Sequence, residues 1–243
     1  MDFPVLAKRV LPADCLVFFD FEATQFTHRA IALGVYAVPK TPGLLYADSF
    51  EQPLFYRSLI FTEDKIGPVV TNMTGITKSA LVKEGKSFYD VVRDVTKLLR
   101  PFKNKVFLSY GSMDLSILHQ SVNFEDEIER NFLAHVTKHY FDFHHYLERR
   151  IVDENGQSLS LAKLNTLFGL TEENPHDPLS DAKSLAEIYH AYLQHPDDAV
   201  SYMLEHYGKN PYVDSLNRQL SEIVLSQGKA ERADLIRLIK EAL

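Results

Sequence analysis

Residues Cys15 to Glu22 read CLVFFDFE, and six of these eight are apolar. A run this short, aromatic and aliphatic almost throughout, reads as a buried strand. Its end is interrupted by Asp20 and Glu22. Burying a carboxylate costs several kcal/mol unless something pairs with it. On a strand, residues i and i+2 share a face, so these two carboxylates project side by side. Such a pair repels, and each member raises the other's pKa unless a cation sits between them. An exposed pair on an edge strand is the other arrangement the pattern allows.

The rest of the chain can surround such a strand. Its 243 residues are 45% apolar and 12% aromatic, enough for one large domain, or one domain with an extension. No apolar run approaches the length of about 18 residues that a membrane span needs. The N-terminus lacks a basic segment followed by an apolar one, so it does not read as a signal peptide. The single cysteine, Cys15, leaves no internal disulfide and no cysteine-based zinc cluster. The expectation is a soluble, cytoplasmic protein. Its net charge of −7 argues against a general polyanion-binding surface. An acidic site that recruits divalent cations would nevertheless invert its own local charge and meet phosphates through the metals.

The first half alternates strand and turn signals. CLVFFDF and HRAIALGVYAV are β-rich runs separated by ATQFT, which predicts a hairpin. A third strand is expected within LLYADSFEQPLFYRSL, with Pro53 at a bulge or edge. TNMTGITKSAL has no clear period. Val91, Val92, Val95, Leu98 and Leu99 have helical spacing, ended by Pro101. KVFLSYG predicts a short central strand and SMDLSILHQSV a helix with Ser112 as N-cap.

The second half is mostly helical. YFDFHHYLERR begins as a strand and becomes a helix capped by Asp142. SLAKLNTLFGL predicts a short helix from Ser160 closed by Gly169. Asp177 and Pro178 read as N-cap and first residue of a long helix striped by Ala182, Leu185, Ala186, Tyr189 and Leu193. From His195 the chain turns into polar helices broken at Gly208, Pro211 and Gly228. Strands followed by helices predict a layered α/β fold, a central mixed β-sheet flanked by helices, with a C-terminal helical extension. The expected division is 1–194 for the main domain and 195–243 for the extension.

Three sets of chemistry-bearing residues stand out. Asp20 and Glu22 end a strand. Asp114 opens a helix just after a second strand. Asp181 lies in the first turn of the long helix, with His176 five residues upstream in a loop bracketed by Pro175 and Pro178. Each acid alone has an ordinary reading, the helix dipole for Asp114 and Asp181, and His176 alone reads as a solvated loop residue. Together, four carboxylates can hold two divalent cations about 3.5–4 Å apart, the arrangement used for displacement at phosphorus. Hard cations want oxygen ligands, which suits Asp and Glu. The adjacent His144 and His145 diverge by about 100° on a helix and do not chelate one ion. His119, His135, His139 and His190 sit on helical patterns as structural residues, and most of the 16 Phe and 12 Tyr read as core.

DFEAT, the YGSMD segment and the spacing of His176 and Asp181 resemble the three motifs of the DEDDh 3′–5′ exonucleases, which have a ribonuclease H-like fold. The resemblance spans about Asp14 to Leu193. By it, Asp20, Glu22, Asp114 and Asp181 are the metal-binding and catalytic acids and His176 is the general base. A sister class places tyrosine where Asp177 stands, so the histidine class is indicated. The resemblance implies two divalent cations, Mg²⁺ or Mn²⁺, and single-stranded nucleic acid 3′ ends as substrate.

DFEAT and the segment Met73 to Ile76 are most similar to the branch that trims RNA 3′ ends, so RNA is favoured over DNA. That likeness assigns Ala23, Thr24, Met73 and Ile76 to the terminal nucleotide, and Phe26 is a candidate stacking wedge. Gln25 stands where the branch often has cysteine, and Met113 where it has tryptophan. Two other readings remain, a DNA proofreading or repair exonuclease and a nucleic-acid-binding scaffold of the same fold without catalysis. The extension is open between dimerisation, partner docking and a packed cap.

Overall fold

The computed structural model describes residues 4–46, 52–148, 150–171, 173–209 and 213–242. Its centre is a five-stranded mixed sheet built from β1 (Cys15–Ala23), β2 (Ala30–Pro39), β3 (Leu54–Leu59), β4 (Lys105–Ser109) and β5 (Tyr140–Asp142). The spatial order is β3-β2-β1-β4-β5. The β1–β2 hairpin and β3 pair antiparallel, whereas β4 joins β1 and β5 joins β4 in parallel. β3 is an edge strand that begins directly after Pro53, where a missing N–H costs no ladder bond.

The helices are α1 (Pro4–Val10), α2 (Pro68–Thr74), α3 (Lys78–Glu84), α4 (Phe88–Leu99), α5 (Met113–Ser121) and α6 (Glu127–Lys138), followed by α7 (Phe143–Leu147) and α8 (Leu161–Leu167). The long α9 (Pro178–Gln194) precedes α10 (Pro196–Glu205), α11 (Val213–Gln227) and α12 (Arg232–Ala242). Among the described residues, no helix is long and apolar enough to cross a membrane.

Two cores sandwich the sheet. On one face, Leu16, Phe18, Val38 and Leu108 pack with Leu185, Ile188 and Tyr189 of α9 and with Phe143 and Leu147 of α7. Ala199, Met203, Leu216, Leu238 and Ile239 of α10, α11 and α12 join that same core. The C-terminal helices are therefore packed onto the α9 face. On the other face, Val17, Phe19, Phe21, Val35 and Phe107 pack with Val91 and Val95 of α4, Ile117 and Leu118 of α5, and Val136 of α6.

Two local readings need correction. TNMTGITKSAL spans the end of α2 and the start of α3, each two turns long and so too short to display a period. Gly75, at φ +70°, ends α2, and the Thr77 side chain accepts from the Ala80 amide to begin α3. Ser112 does occupy the N-cap position of α5, but its side chain makes no capping bond. α1, not expected from the sequence, opens with Pro4, the same first-position proline that marks α9. Pro211 lies outside the described residues, while Asp142, Ser160 and Asp177 all cap their helices as their patterns require.

Candidate active site

The alternation along β1 decides where the acids point. Leu16 and Phe18 face the α9 core, and Cys15, Val17, Phe19 and Phe21 face the opposite one. Asp20 and Glu22 continue the first series, so both carboxylates emerge on the α9 side beyond the last apolar residue. β4 pairs with β1 only as far as Leu108 opposite Phe18, and β1 runs on to Ala23. On the side of β1 that β4 leaves open, the Phe21 N–H needs another acceptor. Asp114, buried at the start of α5, supplies it, with Oδ1 2.8 Å from the amide nitrogen.

Gly34 brings the third motif in. It faces Asp20 in the β1–β2 ladder, and a Cβ there would lie 2.1 Å from the Pro178 backbone. Only glycine lets the first turn of α9 sit this close to the sheet. Asp177 then fixes the helix start. Its Oδ1 accepts from the Leu179 and Ser180 amides at 3.2 and 3.1 Å, and its Oδ2 meets Arg57 Nε at 2.5 Å. Arg57 is the β3 partner of Gly34, so glycine seat and ionic clamp occupy one rung of the sheet.

His176 precedes that cap in a turn closed by the Asp177 amide on the Asn174 carbonyl, at 3.1 Å. Pro175 takes the second position and His176 the third, at φ +66°, the left-handed geometry of a type II turn. A side chain there costs roughly 1–2 kcal/mol relative to glycine. Asp181 holds the strained residue by accepting its amide at 3.2 Å. As a result, Glu22, His176 and Asp181 each offer one ligand atom, all within 4.8 Å of one another.

The electrostatics are those of a cluster without a counter-charge. Asp20 has its pKa pushed well above the usual carboxylate range, first by burial, then by Asp114, Asp181, Glu22 and Asp177. Every charged group acting on it is an acid. Glu22 is pushed up to about 7, by burial and then by Asp181, Asp114 and Asp177. Asp114 also rises to about 7, through burial, which outweighs the Phe21 amide and Ser109 hydroxyl bonds that favour its charged form. Oxygen donors beside one imidazole, all repelling one another, suit hard divalent cations such as Mg²⁺ or Mn²⁺. The chemistry of the donor set therefore fits the metals implied by the sequence.

The residues expected to touch substrate are divided. Phe26 and Met73 are 60% and 53% exposed, whereas Ile76 is buried beside Ile66 and Leu81. Ala23 is half-buried at the end of β1. Thr24 is buried, and its hydroxyl is engaged with the Thr27 hydroxyl at 2.7 Å and the Arg29 amide at 3.0 Å, inside the β1–β2 turn. Gln25 does what its sequence gave no sign of. Its amide donates to the Ile66 carbonyl at 2.8 Å and its Oε1 accepts from the Val69 amide at 3.3 Å, tying the turn to the start of α2. His144 lies instead on a separate open cavity of about 680 Å³ beside Tyr110 and Met113, hydrogen-bonded to Ser158 at 2.9 Å, and His145 pairs with Glu148.

No family model matches this sequence, and no curated protein matches it. Solved structures match its fold. One is the nuclease domain of 3′hExo, a DEDDh family member, bound to rAMP, at 20% identity and TM-score 0.56, covering 75% of this chain and 92% of that one. A second is a 3′-exonuclease in 3′-end-specific recognition of the histone mRNA stem-loop, at 18% identity and TM-score 0.54, covering 75% and 82%. A third is Escherichia coli exonuclease I with a dT13 oligonucleotide, at 15% identity and TM-score 0.52. That match covers 79% of this chain and 44% of exonuclease I, so this chain spans less than half of that protein. The chain thus has the ribonuclease H-like fold of the DEDDh 3′ exonuclease domains.

Proposed function

We propose that the chain is a DEDDh-type 3′–5′ exonuclease that hydrolyses single-stranded nucleic acid from its 3′ end and releases nucleoside 5′-monophosphates, with RNA preferred. The observation that carries the reading is convergence. A strand end, a helix start after a second strand and a second helix start bring Asp20, Glu22, Asp114, Asp181 and His176 near one another. Acids so costly to assemble without partners mark a functional site.

Asp20, Glu22, Asp181 and Asp114 would hold the divalent cations, with Asp114 committed through Oδ1 to the Phe21 amide. Bound there, the cations would supply acidification of a water and compensation of negative charge at a leaving oxygen. His176, exposed on its turn and within reach of Glu22 and Asp181, takes the water's proton at an imidazole nitrogen. The Asp177–Arg57 clamp and the Gly34 seat keep that imidazole beside the acids. Exposed Phe26 and Met73, at the β1–β2 turn and on α2, offer apolar surface to the terminal base.

The rAMP and histone mRNA complexes of the structural neighbours support an RNA substrate, and the dT13 complex supports DNA as the second reading. Matched 5′-labelled RNA and DNA oligomers with Mn²⁺ or Mg²⁺ test both. Stepwise shortening with mononucleotide release, abolished by chelator and faster on RNA, is expected. Faster cleavage of DNA would select the second reading. Chelator-insensitive activity, or cuts within a circular substrate, would refute the exonuclease assignment.

A further inference from the structure

The net charge of −7 conceals a cationic end. A cavity of about 220 Å³ opens where the C-terminal turn of α1, the start of β4 and the C-terminal end of α6 meet, and its rim carries Lys8, Arg9, Lys105, Lys138 and His139. No carboxylate lines it. Asp14, which follows Ala13 of its lining, spends both oxygens on the Lys103 and Asn104 amides, each at 3.0 Å. Among the described residues, Lys8, Arg9, Lys105 and Lys138 form no ion pair, although Lys86, Lys163, Lys183 and Lys240 all do. The uncompensated field is felt locally: His139 is held below the usual histidine range by burial, then by Lys138, Lys105 and Arg9.

A basic residue at a helix C-terminus has an ordinary explanation in the helix dipole. That explanation covers Lys8, Arg9 and Lys138 singly. It does not account for three elements gathering their cations round one cavity, where mutual repulsion opposes the arrangement. Lys105 opens β4 opposite Cys15, at the far end of the strand whose other end carries Asp20 and Glu22. At about 3.3 Å per residue, five to seven strand residues separate the two ends by roughly 17–23 Å. Both faces of the sheet between them are covered, so a single strand must follow the surface, and at about 3.4 Å per stacked nucleotide it needs more than roughly five to seven nucleotides.

We propose that this cavity is an exosite for the phosphodiester backbone of the substrate strand, upstream of the 3′ end being cleaved. The proposal rests on the exonuclease reading for its biological use, but the binding it asserts is separable from cleavage. The exosite confers a length threshold, so that strands too short to reach it are held by the acidic site alone.

The test uses the double variant R9E/K138E, both positions being exposed and outside the core. Binding of a fluorescein-labelled 20-nucleotide single strand is followed by anisotropy in chelator, where nothing is cleaved. The variant should bind at least ~10-fold more weakly at moderate salt, with the slope of log affinity against log salt reduced by about 1.4 for two lost phosphate contacts. With Mn²⁺, kcat/KM should fall for the 20-mer and stay unchanged for a 4-mer. The control K229E/R237E, with the same charge change on α12 and the segment that precedes it, should leave binding unaltered. Unchanged affinity and salt slope in R9E/K138E, or an equal loss in the control, would overturn the exosite. An equal loss of cleavage on the 4-mer would do the same. Wild-type protein that binds through these residues yet cleaves nothing would leave the exosite standing and refute the exonuclease reading instead.

Discussion

If the acids repel one another when no cation is bound, removing one charge should stabilise the metal-free protein, and only at high pH. Glu22→Gln is the cleanest perturbation, because Gln keeps the shape and Glu22 carries no capping duty. The Glu22 pKa is displaced from 4.5 to about 7, mainly by burial and then by Asp181. At about 1.36 kcal/mol per unit, the full displacement is worth roughly 3.4 kcal/mol. Glu22 is only half-buried, so solvent screening reduces this to about 1.5–2 kcal/mol. A raised carboxylate pKa means that the folded state binds the proton more tightly than the unfolded chain. Folding stability therefore falls as pH rises from about 4.5 to 7, and the whole penalty is present above 7. Glu22→Gln should melt roughly 3–8 °C above wild type at pH 8.5 in chelator, given about 2–4 °C per kcal/mol for a chain of this size. At pH 4.5 the two should melt together. Saturating Mn²⁺ should raise wild type by RT ln(1 + [L]/Kd), about 2.7 kcal/mol at 100-fold excess over Kd, and raise the variant less. The measurement is a circular dichroism melt across pH, with and without metal. A variant that melts below wild type at pH 8.5 in chelator would show that Glu22 is structurally paired, and the repulsion argument would be wrong.

The remaining predictions concern the three devices that assemble the site. His176→Ala should lower the rate roughly 10²–10⁴-fold with Mn²⁺ affinity unchanged, as measured by titration and single-turnover cleavage. His176→Gly should lose the same activity but melt above His176→Ala, by about 1 kcal/mol, because the left-handed turn position at φ +66° no longer carries a Cβ. Asp114→Asn, which keeps an acceptor for the Phe21 amide, should fold nearly as well as wild type without activity, whereas Asp114→Ala should lose a further ~1–3 kcal/mol in denaturant melts. Gly34→Ala must displace the backbone of Pro178 from 2.1 Å, so activity should fall even though the residue lies outside the cluster.

The sequence made the acids visible because their spacing is periodic: Asp20 and Glu22 follow the strand alternation, and Asp181 follows a capped, proline-led helix start. It made the hairpin and long helix visible for the same reason. What stayed hidden depends on contacts between segments distant in the chain. Gly34 reads as an ordinary glycine inside a strand run until Pro178 is placed on it. Arg57 reads as a surface cation on an edge strand until Asp177, 120 residues later, meets it. Gln25 looked like a departure from a motif, and only the Val69 amide that its Oε1 accepts from explains the side chain. The net charge misled in the same way: −7 is a sum over the chain, and the cations around Lys105 come from three segments that the topology alone gathers.

The construction explains why these acids can sit where an apolar core would otherwise continue. β1 outruns its parallel partner β4, and the unpaired stretch leaves an amide that a buried acid can satisfy. α9 supplies Asp181 to that end of β1 because Gly34 puts no Cβ in the way and Arg57 clamps the Asp177 cap beside it. Each support acts on the position of a charged group, not on its charge. It follows that weakening a support and removing an acid should have opposite signatures in chelator. Loss of the Arg57–Asp177 pair frees the turn that carries His176 and leaves the carboxylate repulsion in place, whereas Glu22→Gln relieves the repulsion and leaves the turn intact. A site built for cations places its stability cost in the acids and its precision in their neutral and basic neighbours.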